Sequence, residues 1–228
     1  MKLAEKNPKD PIALEALLQV VRVVNAVDSL IQVAWEMNKT AFPAGGKDNS
    51  GGRAVALLLR DHVRNDKLGP VCERMPFGIR KEYETFLKTV LQTNPHKDVQ
   101  ALACLALAQF LNNRLHKLDL LKDRPDLAKR YEGLFGKDHF EALQRQDRDK
   151  TCKEVEAFFE KAAETYGGVK LPFGGTVGEK AKAELHEIRH LSVGKQAQDI
   201  EGEDQDGKRF KLSDYRGKVV LLYFWSEY

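Results

Sequence analysis

Two groups of residues in this chain have types and spacing suited to chemistry. His186-Glu187-Ile188-Arg189-His190 spells His-Glu-x-x-His. On a helix its two imidazoles fall at i and i+4 on one face, where they could share a zinc ion with the glutamate as base. Against hydrolysis stand its setting and its sequel. The stretch is strongly charged (Lys180, Lys182, Glu184, Arg189), Val193 stands where a metzincin needs glycine, and no third histidine follows. The alternative is a solvated helix end, with histidines near the negative end of the dipole. The second group is the cysteines Cys72, Cys104 and Cys152, which are widely spaced, odd in number and without a Cys-x-x-Cys. That pattern fits neither a disulfide framework nor a zinc site. Cys104 lies in Ala101-Leu102-Ala103-Cys104-Leu105-Ala106-Leu107-Ala108 and reads as a small buried hydrophobe.

The elements around these residues are helical as far as about residue 190. Asp10-Pro11 makes a cap and first-turn proline. Apolar residues at helical spacing follow (Ile12, Leu14, Leu17, Leu18, Val20, Val21, Val24), and a second helix is suggested by Leu30, Ile31, Val33, Ala34 and Trp35. A loop is expected from Asn38 to Gly52, broken by Pro43, Gly45, Gly46, Gly51 and Gly52. A helix from about Arg53 to Asn65 ends before a break at Gly69-Pro70. Ile79, Tyr83, Phe86, Leu87, Val90 and Leu91 mark another, ended by Asn94-Pro95. Asp98 to about Leu115 is apolar nearly all round and should be central. Residues 116–150 predict short helices. An amphipathic helix spans about Asp149–Tyr166 and stops at Gly167-Gly168. Thr176 and Glu179 form a capping-box pattern opening a last helix that ends near His190.

Asn7-Pro8-Lys9-Asp10-Pro11-Ile12-Ala13-Leu14 resembles Asn94-Pro95-His96-Lys97-Asp98-Val99-Gln100-Ala101-Leu102. Each opens a helix rich in alanine and leucine, like the junction between tetratricopeptide-like hairpins, which stack because one hairpin cannot bury its own apolar face. A helical-repeat array and an irregular bundle both remain open.

After His190 the pattern changes. An extended stretch starts at Gly194, and Asp206-Gly207 signals a hairpin ahead of the alternating Lys208–Leu212. Ser213-Asp214-Tyr215-Arg216-Gly217 is a second turn. Val219 to Trp225 is apolar throughout and reads as a strand buried on both faces, which cannot stand without neighbours.

Residues 193–228 resemble the start of redoxin domains of the alkyl hydroperoxide reductase/thiol-specific antioxidant and thiol-disulfide reductase superfamily. The resemblance runs through Val193-Gly194-Lys195-Gln196-Ala197-Gln198-Asp199-Ile200, Asp206-Gly207-Lys208, Leu212 to Leu222, and Phe224-Trp225. Gln198 replaces a usual proline. After the mainly α region of residues 1–190, the resemblance implies the N-terminal β-strands of a thioredoxin-like α/β domain, residues 193–228, incomplete here. Phe224-Trp225-Ser226-Glu227-Tyr228 fits thioredoxin-type reductases better than peroxiredoxins, with the Cys-x-x-Cys expected just after Tyr228. In such a motif the helix N-terminus favours the attacking thiolate. No catalytic residue would then lie in this chain, and Trp225 and Tyr228 would flank the active site. The implied partner of the intact protein is a protein thiol or disulfide, or a peroxide. The helical part would dock or space, similar to helical extensions preceding redoxin domains in some bacterial, planctomycete-like proteins. The alternative is a non-enzymatic module that binds a protein partner.

Composition excludes other classes. Thirty-seven basic residues against 34 acidic ones give a net +3, which leaves no basic face for nucleic acid. No run approaches a membrane span. No glycine-rich phosphate loop occurs, and no cofactor is implied. The start Met1–Pro8 has no apolar core of a signal peptide; a cell-envelope location stays open if Met1 is internal to a longer chain.

Overall fold

The computed structural model describes residues 2–36, 50–77, 80–223 and 226. The chain divides into two compact units, residues 1–185 and 186–228. The first is helical; the second carries a small antiparallel hairpin. A mainly α chain followed by thioredoxin-like strands is the fold class that results.

In the first unit, α1 (Lys2–Lys6) is followed by α2 (Pro11–Glu36). The Ile12 N–H donates to Asp10 Oδ1 at 2.8 Å, so Asp10 caps α2 as its position before Pro11 suggests. Where the sequence suggests two helices there is one, because no glycine or proline separates Val24 from Leu30. Ala13, Leu14, Leu17, Leu18 and Val21 are buried on its inner side, whereas Ile12, Val23 and Val27 remain exposed.

The expected loop to Gly52 is corrected at its end. Helix α3 (Ser50–His62) begins at Ser50, and Gly51 and Gly52 are buried inside it. A Cβ on Gly51 would stand 2.8 Å from Val24 Cγ1. Glycine here therefore admits α2 against α3 rather than breaking a helix. Residues 38–49 of that loop lie outside the described residues, as does Ile79 of the helix expected around it.

Gly69-Pro70 likewise opens a short helix, α4 (Gly69–Cys72), where the sequence suggests only a break; proline fits a first helical turn. Helix α5 (Lys81–Thr93) ends at Asn94, and α6 (Lys97–Lys122) runs well past the expected Leu115. All residues from Ala101 to Ala108 are buried, as an all-round apolar helix requires.

Short helices fill the charged segment as expected: α7 (Pro125–Phe135) and α8 (Lys137–Gln144). They share a small core of Leu121, Leu127, Tyr131, Phe140 and Leu143. Helix α9 (Arg148–Thr165) is capped by Asp147, whose side chain accepts from the Lys150 N–H. It buries Val155, Phe159 and Ala162 and packs along α6. Helix α10 (Val177–His186) starts at Thr176: the Glu179 N–H donates to Thr176 Oγ1 at 3.2 Å, and the Thr176 N–H donates to Glu179 Oε2 at 2.8 Å. The expected reciprocal cap is present.

The helices pack α2 on α3, α3 on α5, α5 on α6 and α6 on α9, with α4 also against α6. Among the described residues no helix is long and apolar enough to cross a membrane.

The second unit opens with a π-helical turn, Glu187–Leu191. Strands β1 (Glu201–Glu203) and β2 (Arg209–Lys211) pair antiparallel, Glu201 opposite Lys211 and Gly202 opposite Phe210. A 3₁₀ turn, Leu212–Tyr215, follows. The strand expected at Val219–Trp225 is not formed in its described part. Residues 219–223 make no ladder, and Val219, Leu221 and Tyr223 are 104%, 91% and 81% exposed. A central strand is held by neighbours on both sides, and no described strand lies beside this one. Phe224 and Trp225 lie outside the described residues.

Candidate functional site

The hairpin unit is built from short-range hydrogen bonds. At its turn Asp204 Oδ1 accepts from the N–H groups of Asp206 (3.0 Å) and Lys208 (2.9 Å), while the Gly207 N–H donates to the Asp204 carbonyl at 2.9 Å. Gly207 sits at φ +78°, a left-handed conformation that only glycine adopts without strain. The Asp206-Gly207 hairpin signal is therefore realised, with Asp204 as an anchor that the dipeptide alone did not reveal. Charged pairs cross the strands, Arg209 to Glu203 at 3.3 Å and Lys211 to Glu201. The Phe210 ring lies against Gly202, opposite it in the register, where an added Cβ would meet ring carbons at 3.3 Å.

The segment before β1 is tied to the turn after β2. The Leu212 N–H donates to the Ile200 carbonyl at 2.9 Å, extending the ladder. Asp199 then accepts from both the N–H (2.8 Å) and the hydroxyl (2.7 Å) of Ser213. These bonds, from the hydroxyl first and the backbone second, hold the Asp199 carboxyl below its ordinary range. Asp214 Oδ2 accepts from the Lys211 N–H at 2.9 Å, closing the start of the 3₁₀ turn. Gly217, at φ +83°, releases the chain toward Val219. What this frame presents is the apolar segment 219–223. Trp225 and Tyr228, the expected active-site flank, lie outside the described residues.

The cysteines of the helical unit are placed against thiolate chemistry. Cys72 in α4 is buried, and burial pushes its thiol far up. Cys104 in α6 is buried as expected from its alanine-leucine surroundings. Burial pushes its thiol up to about 12, and its Sγ donates to the Phe158 carbonyl at 3.4 Å. A thiol nucleophile must be ionised, so neither is suited to attack. Cys152, near the start of α9, is half-buried and free.

His186 and His190 do come together. Their ring centroids are 4.9 Å apart at an interplanar angle of 43°, and both side chains are exposed. Among the described residues no set of three or more His, Cys, Asp or Glu side chains gathers as a metal-holding group. Among the described residues, then, no third ligand of a zinc peptidase stands beside the pair.

One cluster in the helical unit was not legible beforehand. Arg114 of α6, 4% exposed, reaches Glu84 of α5 at 2.5 Å, and Lys88 bridges Glu84 (2.8 Å) and Glu154 of α9 (3.1 Å). Burial raises the Glu84 pKa, but hydrogen bonds from Lys88 and the charge of Arg114 outweigh it, leaving the carboxyl below its usual range. The Glu84–Lys88 spacing of i, i+4 is the one signal the sequence carried.

Residues 193–228 match the family model described as the AhpC/TSA family. This segment is accordingly that of a thioredoxin-like redoxin, joined to an N-terminal helical region. No curated protein and no solved structure matches the chain.

Proposed function

We propose that residues 193–228 open a redoxin domain whose chemistry, in the intact protein, is thiol-disulfide exchange, and that the helical region of residues 1–190 serves it as a docking or spacing module. The observation that carries this reading is the family match over 193–228. The Asp204 and Asp199 anchors support it, because they fix the frame that leads into the apolar segment at Val219. The nucleophile is a Cys-x-x-Cys beyond Tyr228, set at a strand-to-helix junction where the helix dipole favours the thiolate. It attacks a protein disulfide, and the second cysteine resolves the mixed disulfide. Trp225 and Tyr228 flank it. The burial of Cys72 and Cys104 supports placing the redox pair outside these residues. Reduction of peroxide is the nearest competing chemistry within the same family.

Reading the coding sequence past the Tyr228 codon tests this. A Cys-x-x-Cys in frame is the expected result; a frame with no cysteine in its next few codons overturns it.

A second reading is favoured by Ile12, Val23 and Val27, which α2 leaves exposed although its opposite side is buried. On this reading the helical region is an interaction module whose protein partner covers that stripe. Partner capture that survives Val23→Lys with Val27→Lys would sink it.

A further inference from the structure

The His186–His190 pair has no part in the redoxin chemistry above. Its placement is defined nonetheless. Helix α10 delivers His186, and Glu187–Leu191 continue as a π-helical turn. Ser192 closes that turn, its Oγ donating to the carbonyls of Ile188 (2.9 Å) and Glu187 (3.3 Å). The backbone carrying both imidazoles is therefore ordered on either side of them. The rings are 4.9 Å apart between centroids, tilted 43° to one another, and open to solvent.

We propose that His186 and His190 form a two-imidazole clamp for a first-row divalent transition ion, copper(II) or zinc(II), with water filling the other positions. Imidazole nitrogen suits these ions, whereas calcium and magnesium take oxygen ligands. Metal–nitrogen bonds of about 2.0–2.1 Å set two tetrahedral ligand nitrogens roughly 3–3.5 Å apart. Rings already 4.9 Å apart reach that spacing by small side-chain rotations. Copper(II) should bind more tightly than zinc(II), following the general order for nitrogen sites. Two protein ligands are fewer than the three of catalytic zinc sites and the four of structural ones, so no reaction is assigned to the clamp. It ties the last turn of α10 to the π-helical turn.

The test uses the full chain and the metal salts alone. Copper(II) and zinc(II) are titrated by calorimetry, and the copper form is read by electron paramagnetic resonance. One ion per chain and hyperfine structure from two imidazole nitrogens are expected. Loss of either ligand, in His186→Ala or His190→Ala, should weaken binding at least ~10–100-fold, the loss seen when only an outer partner of a metal ligand is removed. His116→Gln, an exposed histidine of α6, should leave binding unchanged. His190→Cys keeps a zinc ligand and should restore zinc binding lost in His190→Ala, which separates a ligand role from mere damage to the turn. Binding equal to wild type in both alanine variants, a single-nitrogen signal, or no rescue by cysteine would each overturn the clamp.

Discussion

Asp199 accepts two hydrogen bonds from Ser213, one from its backbone N–H at 2.8 Å and one from its hydroxyl at 2.7 Å. Fourteen positions separate the two residues. Between them lies the whole hairpin, so this contact closes the loop that β1 and β2 form. The carboxylate must be ionised to accept both bonds fully.

A pH dependence follows. The Ser213 hydroxyl and N–H lower the Asp199 pKa from its ordinary 3.8. A carboxyl depressed by folding contributes stability above its unfolded pKa and loses it as pH falls through the folded value. Amide exchange at Ser213 and Leu212 should thus accelerate below about pH 4, and Asp199→Asn should speed it already at neutral pH. Unchanged Ser213 protection in Asp199→Asn would show that the contact does not hold the turn.

Asn94 should matter more to global stability. It is 1% exposed, and its amide donates to the carbonyls of Val63 (2.8 Å) and Asn65 (2.9 Å), while its Oδ1 accepts from the His96 N–H. Asn94→Ala strips partners from backbone groups just past the end of α3, at a cost of about 2–3 kcal/mol. Asn94→Asp can still accept from His96 but cannot donate to the carbonyls, so it should not recover the loss. Urea midpoints of the two variants check both statements.

Two glycines should respond in opposite directions. A Cβ on Gly178, at the start of α10, would meet Gly167 Cα at 2.8 Å and Gly167 O at 2.9 Å, backbone atoms that cannot rotate away. Gly178→Ala should destabilise by about 1–3 kcal/mol. Gly133, exposed in α7, has open space around it, so Gly133→Ala should stabilise by up to about 1 kcal/mol through the unfolded chain and helix propensity. Thermal midpoints moving in the same direction would contradict the packing described.

The thiols should differ in reactivity. In native protein an aromatic disulfide reagent should label Cys152, the half-buried one, while Cys72 and Cys104 react only in denaturant. Rapid labelling of all three in native buffer would mean that α4 and α6 open readily.

Leu221 and Val219 stand clear of the protein. Leu221→Lys should therefore shift stability by no more than about 0.5 kcal/mol yet reduce self-association in sedimentation. Equal association of variant and wild type would show that this segment is not the sticky one.

The readable features were those carried by residues a few positions apart. Asp10 with Pro11, Thr176 with Glu179, Asp206 with Gly207 and the stop at Asn94 each declare themselves locally, and each is found. Gly51 misled because its role depends on Val24 in another helix. The Val219 strand misled because apolar sequence states what a segment would do with neighbours, not whether they are beside it. The Glu84–Arg114 pair was hidden for the same reason: 30 positions separate its members, and only packing of α5 on α6 joins them. Of the candidate site, the hairpin frame was legible, but Asp199 was read only as part of a resemblance, not as the residue that locks Ser213.

The cross-strand bonds of β1 and β2 span at most the interval from Glu201 to Lys211, and Asp204 supplies the turn with its own donors and acceptors. Loops so short close fast: hairpins form within about 1–10 μs, far sooner than pairings that await distant chain. The hairpin is thus an early template in the folding of its unit. Any later strand would add to an edge whose register Asp204 had already chosen.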